Sequence, residues 1–113
     1  MHKRAIGNKA EGKAVAFLEK EGYEIIQRNY YSRFGEIDII ARNGSVLVFI
    51  EVKYRKDNSY GSPLEAISSY KVKSICKTAR YYLKSNDIEA RFDVISIVGN
   101  DIEHIHNAFD YIF

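Results

Sequence analysis

Two apolar runs separated by the dipeptide Asn43-Gly44 constrain the fold of this chain more than any other feature. Asn-Gly between two such runs is the strongest short-range signal for a β-hairpin. The pattern predicts one strand over residues 36–41 and a second over residues 45–54. Any fold proposed for the chain therefore has to contain an antiparallel strand pair in its middle third.

The two predicted strands carry their charges at the ends furthest from the turn. Successive side chains of a strand point to opposite faces, so each strand has two predicted faces. On the first strand these are Ile37 and Ile39 against Glu36, Asp38 and Ile40. On the second they are Val46, Val48, Ile50 and Val52 against Leu47, Phe49, Glu51 and Lys53.

The rest of the chain shows helical and strand periodicity around this hairpin. A helix is predicted over residues 7–20, with one apolar stripe and a glycine end at Gly22. The other predictions are strands at 23–28, 91–98 and 102–108, a loop at 29–35, a turn at 64–67 and a helix at 69–84. The apolar stripes consist of Ala10, Ala14, Phe17 and Leu18 in the first helix and Val72, Ile75, Ala79 and Leu83 in the second. This order predicts an α/β fold in which one mixed sheet of about five strands is flanked by helices.

Length and composition limit the class of protein. A chain of 113 residues with 46% hydrophobic residues fits a single domain over residues 1–113. The net charge of +2 is too small for a purely electrostatic, histone-like binder. The single cysteine, Cys76, excludes an internal disulfide and favours a reducing, cytoplasmic setting, where it is expected to be a buried small residue on a helix. The longest apolar run, residues 46–50, is far below the about 20 residues of a membrane helix, so no membrane association is predicted.

The charged ends of the hairpin predict a metal site. A hairpin can bring Asp38 beside Glu51, and Glu11 lies beside the apolar stripe of the first helix, an unusual place for a carboxylate. Grouped carboxylates repel one another and are costly to desolvate, and a hard divalent cation relieves that cost. With Lys53 orienting or activating water, such a group can hydrolyse phosphodiesters. A third oxygen ligand is predicted from the Val52 carbonyl.

The hairpin motifs also resemble a known family. Gly35-Glu36-Ile37-Asp38-Ile39-Ile40 and Val48-Phe49-Ile50-Glu51-Val52-Lys53-Tyr54-Arg55 are similar to those of the bacterial YraN-type family. Shorter matches are Gly12, Arg28-Asn29-Tyr30, Gly61-Ser62-Pro63, Arg91-Phe92-Asp93-Val94 and Asn107-Ala108-Phe109, so the likeness covers nearly the whole chain. One departure is Tyr54, where many relatives carry threonine before the arginine; this bears on nucleic-acid contacts more than on the metal site.

The resemblance implies a fold and an activity. The family is regarded as endonuclease-like, with the restriction-endonuclease-like fold of archaeal Holliday junction resolvases in the PD-(D/E)xK superfamily. It implies that Asp38, Glu51 and Lys53 take the catalytic Asp, Glu and Lys roles, and that Glu11 completes the metal site as the helix glutamate. The expected function is Mg²⁺- or Mn²⁺-dependent cleavage of structured or branched DNA, by a homodimer if the likeness to junction resolvases extends to assembly.

Several signals have a second interpretation. A Glu-x-Lys pair by itself is common on exposed strands that have no catalytic role. Glu36 is either a carboxylate supporting the site through water or a structural acceptor for Arg28 or Arg33. Arg55 and Lys71 are predicted to contact nucleic acid, although a solvated surface explains most lysines and arginines of the second helix, Lys73, Lys77 and Arg80 among them.

Aromatic and histidine residues also leave alternatives open. Tyr30, Tyr31, Phe34 and Tyr60 are predicted to lie in loops near the site, as base-stacking or as core-edge residues. His104 and His106 share a strand face and suit zinc in principle, but a packing pair is the expected reading, and Asp93 is expected to pair with Arg91. The alternative function for the whole chain is a module with little or no turnover that binds nucleic acid or a protein partner. RNA as the substrate also stays open.

Overall fold

The apolar run that follows Asn43-Gly44 forms the middle strand of the sheet in the computed structural model of this protein. The structure describes residues 3–57, 67–84 and 87–110, with side chains from residue 9 onward. Its elements are α1 (Lys3–Lys20), β1 (Glu24–Ser32), β2 (Gly35–Asn43), β3 (Val46–Arg55), α2 (Ser69–Leu83), β4 (Ala90–Val98) and β5 (Asp101–Ile105). The Gly61-Ser62-Pro63 motif, Tyr60 and residues 64–66 of the predicted turn lie outside the described residues.

The five strands form one mixed sheet in the order β1-β2-β3-β4-β5. β1, β2 and β3 are antiparallel neighbours, and β5 runs antiparallel beside β4. β3 and β4 are parallel, because the chain returns through α2 before it forms β4. The predicted α/β class and the sheet of about five strands flanked by helices are confirmed.

Helix α1 packs on one face of the sheet through the predicted stripe. Ala10, Ala14 and Leu18 are buried against residues of β2, β3 and β4, with Phe17 partly buried beside them. The helix ends as the sequence predicted: Gly22 has a φ of +92°, and the N–H of Tyr23 donates to the Leu18 carbonyl at 2.9 Å. This 6→1 hydrogen bond is that of a Schellman motif, which favours glycine at the position before the donor.

Helix α2 packs on the opposite face. Its first free N–H groups are capped by Ser68, whose hydroxyl accepts a hydrogen bond from the N–H of Lys71 at 3.1 Å. Ile75, Cys76 and Ala79 are buried in a cluster with aromatic residues of β3 and β4. Cys76 is therefore the buried small residue that the sequence predicted. Within the described ranges, no helix has the length and apolar character needed to cross a bilayer.

The β1–β2 and β2–β3 hairpins differ from the prediction in their turns. Residues 29–32, predicted as loop, extend β1, because Tyr30 and Tyr31 pair with Ile37 and Glu36 of β2. The pairing of an aromatic with a β-branched residue across the two strands favours strand over loop here, although the segment contains polar residues. In the β2–β3 hairpin, Asn43 still pairs with Val46, so the two-residue loop is Gly44-Ser45 and lies one residue later than expected.

The predicted faces of β3 are confirmed for its apolar residues, but those of β2 are wrong. Ile37 packs with Ile40 in the cluster under α2, whereas Ile39 packs in the cluster under α1. A regular strand cannot put residues three apart on one face. The alternation of β2 is therefore interrupted between Ile37 and Ile39, at Asp38, near Asn29 of β1, whose φ is +53°.

Candidate active site

The paired part of the β2–β3 ladder ends at Ile39 and Ile50. Beyond it, the backbone N–H of Val52 donates to a side chain, the Oδ2 atom of Asp38, at 2.9 Å. The Asp38 carboxylate is thereby held in the gap where β2 and β3 separate. The N–H and C=O of one strand residue point to the same side of the strand, so the Val52 carbonyl is directed towards this gap as well.

Glu51 is the most strongly perturbed acid of the site. Its residue is only 6% exposed, although one carboxylate oxygen, Oε1, lies 3.9 Å from the Lys53 ammonium and 3.8 Å from that of Lys71. The other oxygen, Oε2, is buried without a hydrogen-bond partner. Burial and then the charge of Asp38 raise the pKa of Glu51 to about 8, and the two lysines offset only part of that rise.

Glu11 brings a third carboxylate from α1. The residue is 8% exposed, and its Oε1 atom is buried without a hydrogen-bond partner, 3.7 Å from the Arg28 guanidinium. Burial and the charge of Asp38 raise the pKa of Glu11, while Arg28 and a hydrogen bond from Asn29 act against the rise. The structure thus places Asp38 of β2 within electrostatic reach of both Glu11 on α1 and Glu51 on β3.

Asp38 and Glu36 lie two residues apart on β2, and their charges interact. Burial raises the pKa of Asp38; the hydrogen bond from Val52 lowers it, and the neighbouring charge of Glu36 raises it again. Arg28, predicted as one structural partner of Glu36, contacts Glu11 in the structure. Glu36 therefore faces the acids, and its predicted supporting role stays a prediction.

The donor set of this centre fits a hard divalent cation. Every candidate ligand atom is an oxygen, two of them are buried without hydrogen bonds, and the charge of Asp38 raises the pKa values of both Glu11 and Glu51. The ammonium and guanidinium contacts at 3.7–3.9 Å are longer than hydrogen bonds, so the carboxylates keep free lone pairs. Mg²⁺ typically takes one or two carboxylates and keeps several waters, which does not require all the acids to touch.

Lys71, which the sequence predicted only as a nucleic-acid contact, also contacts an acid of the site. It is in the first turn of α2, and its ammonium lies 3.8 Å from Oε1 of Glu51. Arg55 is the last residue of β3 and follows Lys53 by two positions, so the two side chains share a face. Phosphate binding by Arg55 and Lys71 stays a prediction.

The sequence interpretation missed two residues beside Glu11. Arg28 pairs with it, and Asn29, next in β1, supplies a hydrogen bond. Asn29 has a φ of +53°, the left-handed conformation that asparagine adopts more readily than most residues. An asparagine within a run of strand-forming residues was the available signal for this irregularity.

A second cluster of potential ligands lies in β4 and around the end of β5. Ligand atoms of Asp93, His104 and His106 all lie within 4.8 Å of one another. The buried Asp93 carboxylate already accepts hydrogen bonds from Arg91 Nε at 3.1 Å, His104 Nε2 at 2.7 Å and the N–H of Asn107 at 3.0 Å. Burial alone would raise the pKa of Asp93, but these hydrogen bonds lower it. Because a guanidinium neutralises the carboxylate, the cluster is a structural network, with the Arg91–Asp93 pair that the sequence predicted.

Comparison with known proteins identifies the family. A family model described as "Uncharacterised protein family UPF0102" matches residues 10–97. The chain belongs to the UPF0102 family. This is the YraN-type family that the hairpin motifs resemble, so that identification is confirmed. A UPF0102 protein of Persephonella marina is 50% identical over 92% of both chains. One of Fusobacterium nucleatum is 46% identical over 95% of this chain and 92% of the relative, and one of Geobacter metallireducens is 45% identical over 97% and 96%.

A solved structure of another protein shares the fold of this chain. Hjc of Archaeoglobus fulgidus, described as a Holliday junction resolvase from an archaeal hyperthermophile, superposes with a TM-score of 0.62. The match covers 88% of this chain and 75% of Hjc, at 24% sequence identity. The restriction-endonuclease-like fold expected from the sequence is therefore confirmed.

Proposed function

We propose that this UPF0102 protein is a Mg²⁺- or Mn²⁺-dependent endonuclease that hydrolyses phosphodiester bonds in structured or branched DNA. The observation that carries the proposal is Glu51, a buried carboxylate with a pKa of about 8, an oxygen without a hydrogen-bond partner, and Asp38 as its neighbour. A purely structural acid would be costly in this position. A divalent cation relieves both the desolvation and the repulsion, which makes the arrangement useful.

The oxygen ligands of the proposed ion come from three elements. Asp38, Glu51 and the Val52 carbonyl would bind the ion directly. Glu11 would bind it directly or through water, and Glu36 would support the site through water. When bound, the ion supplies Lewis acidity and neutralises charge at a phosphodiester. The like-fold Hjc structure supports this proposal, because that protein is described as a Holliday junction resolvase.

The two lysines divide the remaining tasks. The Lys53 side chain is 30% exposed, so its ammonium can meet both the buried acid and an incoming substrate. We assign Lys53 to positioning the attacking water and stabilising negative charge as it develops. Lys71, which contacts the same Glu51 oxygen, binds a backbone phosphate, and Arg55 extends that contact along β3. We further propose a homodimer, which would cut two strands of a junction symmetrically.

Nicking assays with Mn²⁺ on branched and linear DNA, with an RNA duplex alongside, test the activity. Wild type is expected to nick the branched substrate, and Glu51→Gln and Lys53→Ala are expected to lower the rate at least about 100-fold. Lys20→Ala, an exposed lysine at the end of α1, is the matched control and should keep full activity. Activity that survives both site substitutions would overturn the proposal. Cleavage of RNA but not of DNA would show that the proposed substrate is wrong.

Calorimetry with Mn²⁺ separates the enzyme from a binding module on the same fold. The proposal expects one site whose binding is lost in Asp38→Asn and Glu51→Gln. Binding of DNA without any Mn²⁺ binding that depends on these two residues would favour the module. Analytical ultracentrifugation tests the dimer, which a single monomeric species at micromolar concentration would reject.

A further inference from the structure

A cleft between the tip of the β1–β2 hairpin and α2 lies outside the acidic centre. It has a volume of about 380 Å³ and is lined by Arg33, Phe34, Lys77, Arg80 and Tyr81. We call this the hairpin–helix cleft. Its lining combines three cationic and two aromatic side chains, with no acid among them. That composition suits a polyanion that also presents flat, apolar rings.

The hairpin tip is held rigidly against α2, so the cleft is part of the folded framework. The Ser74 hydroxyl donates to the Phe34 carbonyl at 2.6 Å, and the hydroxyls of Ser32 and Thr78 are hydrogen-bonded at 3.2 Å. Gly35 approaches α2 so closely that a Cβ atom there would lie 2.1 Å from Ser74 Oγ. These contacts fix Phe34 relative to the helix.

The aromatic residues of the cleft are arranged to leave one ring available. Arg33 lies over the Phe34 ring at 4.9 Å from the centroid, and Phe34 meets Tyr81 edge-on at 6.4 Å between ring centres. Phe34 thus packs against both neighbours, whereas Tyr81 is 51% exposed. An exposed tyrosine ring that is in edge-on contact with a phenylalanine and flanked by cations is a platform on which a nucleic-acid base can stack.

The cleft lies along the same helix as the acidic centre. Lys71 marks the centre, and Ser74, Thr78 and Tyr81 follow it at three- and four-residue intervals along one face of α2. Ten residues of helix span about 15 Å. A DNA strand advances about 3.4 Å per nucleotide along a duplex, so the cleft is about four nucleotides from the acids.

We propose that the hairpin–helix cleft binds an unpaired nucleotide of the DNA strand that the acidic centre cleaves, and so selects branched over fully paired substrates. Tyr81 stacks on the base, Phe34 supports the ring, and Lys77, Arg80 and Arg33 neutralise the flanking phosphates. This rests on the proposed nuclease function for the identity of the strand. It adds a residue-level reason for a preference for branches.

The test measures binding in EDTA, so that hydrolysis is absent. The probe is a flap duplex with 2-aminopurine at an unpaired position near the branch, compared with a blunt duplex of equal length. Wild type is expected to quench 2-aminopurine fluorescence when it binds the flap. Tyr81→Ala should weaken flap binding at least about 5-fold and abolish this quenching, whereas Tyr81→Phe should keep wild-type binding and quenching. Tyr70→Ala removes a tyrosine of α2 that is 81% exposed and outside the cleft, and it should change neither.

Charge variants provide the second readout. Lys77→Ala and Arg80→Ala should each lower the salt dependence of flap binding by about one in the log–log slope, and Lys20→Ala should not. Flap binding that is insensitive to Tyr81→Ala and Lys77→Ala would overturn the cleft proposal, as would equal losses on flap and blunt duplex.

The two proposals fail in different ways. If wild type shows no Mn²⁺-dependent cleavage but binds flaps through Tyr81, the nuclease proposal falls and the cleft assignment survives as a binding site. If wild type cleaves and the cleft variants bind and cleave normally, the cleft assignment alone falls.

Discussion

Asp38 and Val52 are joined by a hydrogen bond in which the backbone N–H of Val52 donates to Oδ2 of Asp38 at 2.9 Å. The carboxylate accepts this bond immediately beyond the last paired residues of β2 and β3. One side chain thus satisfies a backbone group that strand separation would leave unpaired, and it also contributes charge to the site. Its structural and chemical roles can be separated experimentally.

Asp38→Asn and Asp38→Ala are expected to differ in stability but not in metal binding. The asparagine carbonyl can accept the Val52 N–H, whereas alanine leaves that buried donor unsatisfied, at a cost of about 1–3 kcal/mol. In urea unfolding with EDTA, the free energy of unfolding of Asp38→Ala should therefore be lower than that of Asp38→Asn by that amount. Mn²⁺ titration should show both to be defective. Equal unfolding free energies would mean that the hydrogen bond contributes nothing.

Glu51→Gln is expected to stabilise the metal-free protein above neutral pH. Because the folded-state pKa of about 8 lies above the ordinary value of 4.5, the folded state binds more protons than the unfolded state between these values. The wild-type unfolding free energy should therefore fall as pH rises from about 4.5 to 8. Glutamine removes the charge that burial and Asp38 oppose, so we expect a gain of about 1–2 kcal/mol at pH 8 and a flatter profile.

Thermal unfolding from pH 5 to pH 9, with and without Mn²⁺, measures this effect. In wild type, Mn²⁺ should restore stability most strongly at the alkaline end, because binding requires the ionised carboxylate. A wild-type profile that rises with pH in EDTA would contradict the assigned environment of Glu51.

Lys71→Ala is expected to act on Glu51 as well as on DNA. Lys71 lowers the pKa of Glu51, so its removal should raise that pKa further and shift Mn²⁺ binding to higher pH. DNA binding should lose about one unit of salt slope. Lys73→Ala, an exposed lysine two residues away in the same helix turn, is the control and should leave the pH dependence unchanged. Identical Mn²⁺ pH profiles for Lys71→Ala and wild type would argue against the contact.

Gly35→Ala and Gly12→Ala should change stability in opposite directions. Gly35 has a φ of +148°, and a Cβ there would displace the Ser74 hydroxyl from its bond to Phe34, so we expect a loss of about 2–3 kcal/mol. A Cβ at Gly12 in α1 would meet nothing within 4 Å, and alanine should add about 0.5–1 kcal/mol there. Urea denaturation measures both, and Gly35→Ala with wild-type stability would refute the close contact.

Asp93→Asn should destabilise the protein without any change attributable to a metal. Breaking the buried pair with Arg91 leaves the guanidinium without its partner, for which we expect about 3 kcal/mol. His106→Ala, which removes only a stacked ring, should cost less. If Zn²⁺ raised the melting temperature of wild type but not of His106→Ala, the cluster would be a metal site after all.

Local patterns were enough to predict much of this fold. The helix stripes, the Gly22 end of α1, the hairpin before β3 and the alternation of its apolar side chains depend on neighbouring residues, and they were predicted correctly. The motifs around Asp38 and Glu51 identified the family for the same reason, since they are contiguous in the chain.

Other features were decided by contacts between distant segments. The extension of β1 through Tyr31 depends on pairing with β2. Ile37 changes face just beyond the last β2–β3 pair and close to the left-handed Asn29 of β1. Sequence periodicity assumes a regular strand and cannot locate such a distortion.

The sequence by itself determined which acids and lysines the chain carries and on which elements they lie. Only the tertiary structure decided their environment: Lys71 reaches Glu51 because the first turn of α2 lies beside β3 there, and Arg28 faces Glu11 because β1 lies under α1. Phe34 meets Tyr81 because the hairpin tip rests on α2. Burial and charge proximity arise from packing between segments far apart in the chain, and these two quantities set the pKa of about 8 at Glu51.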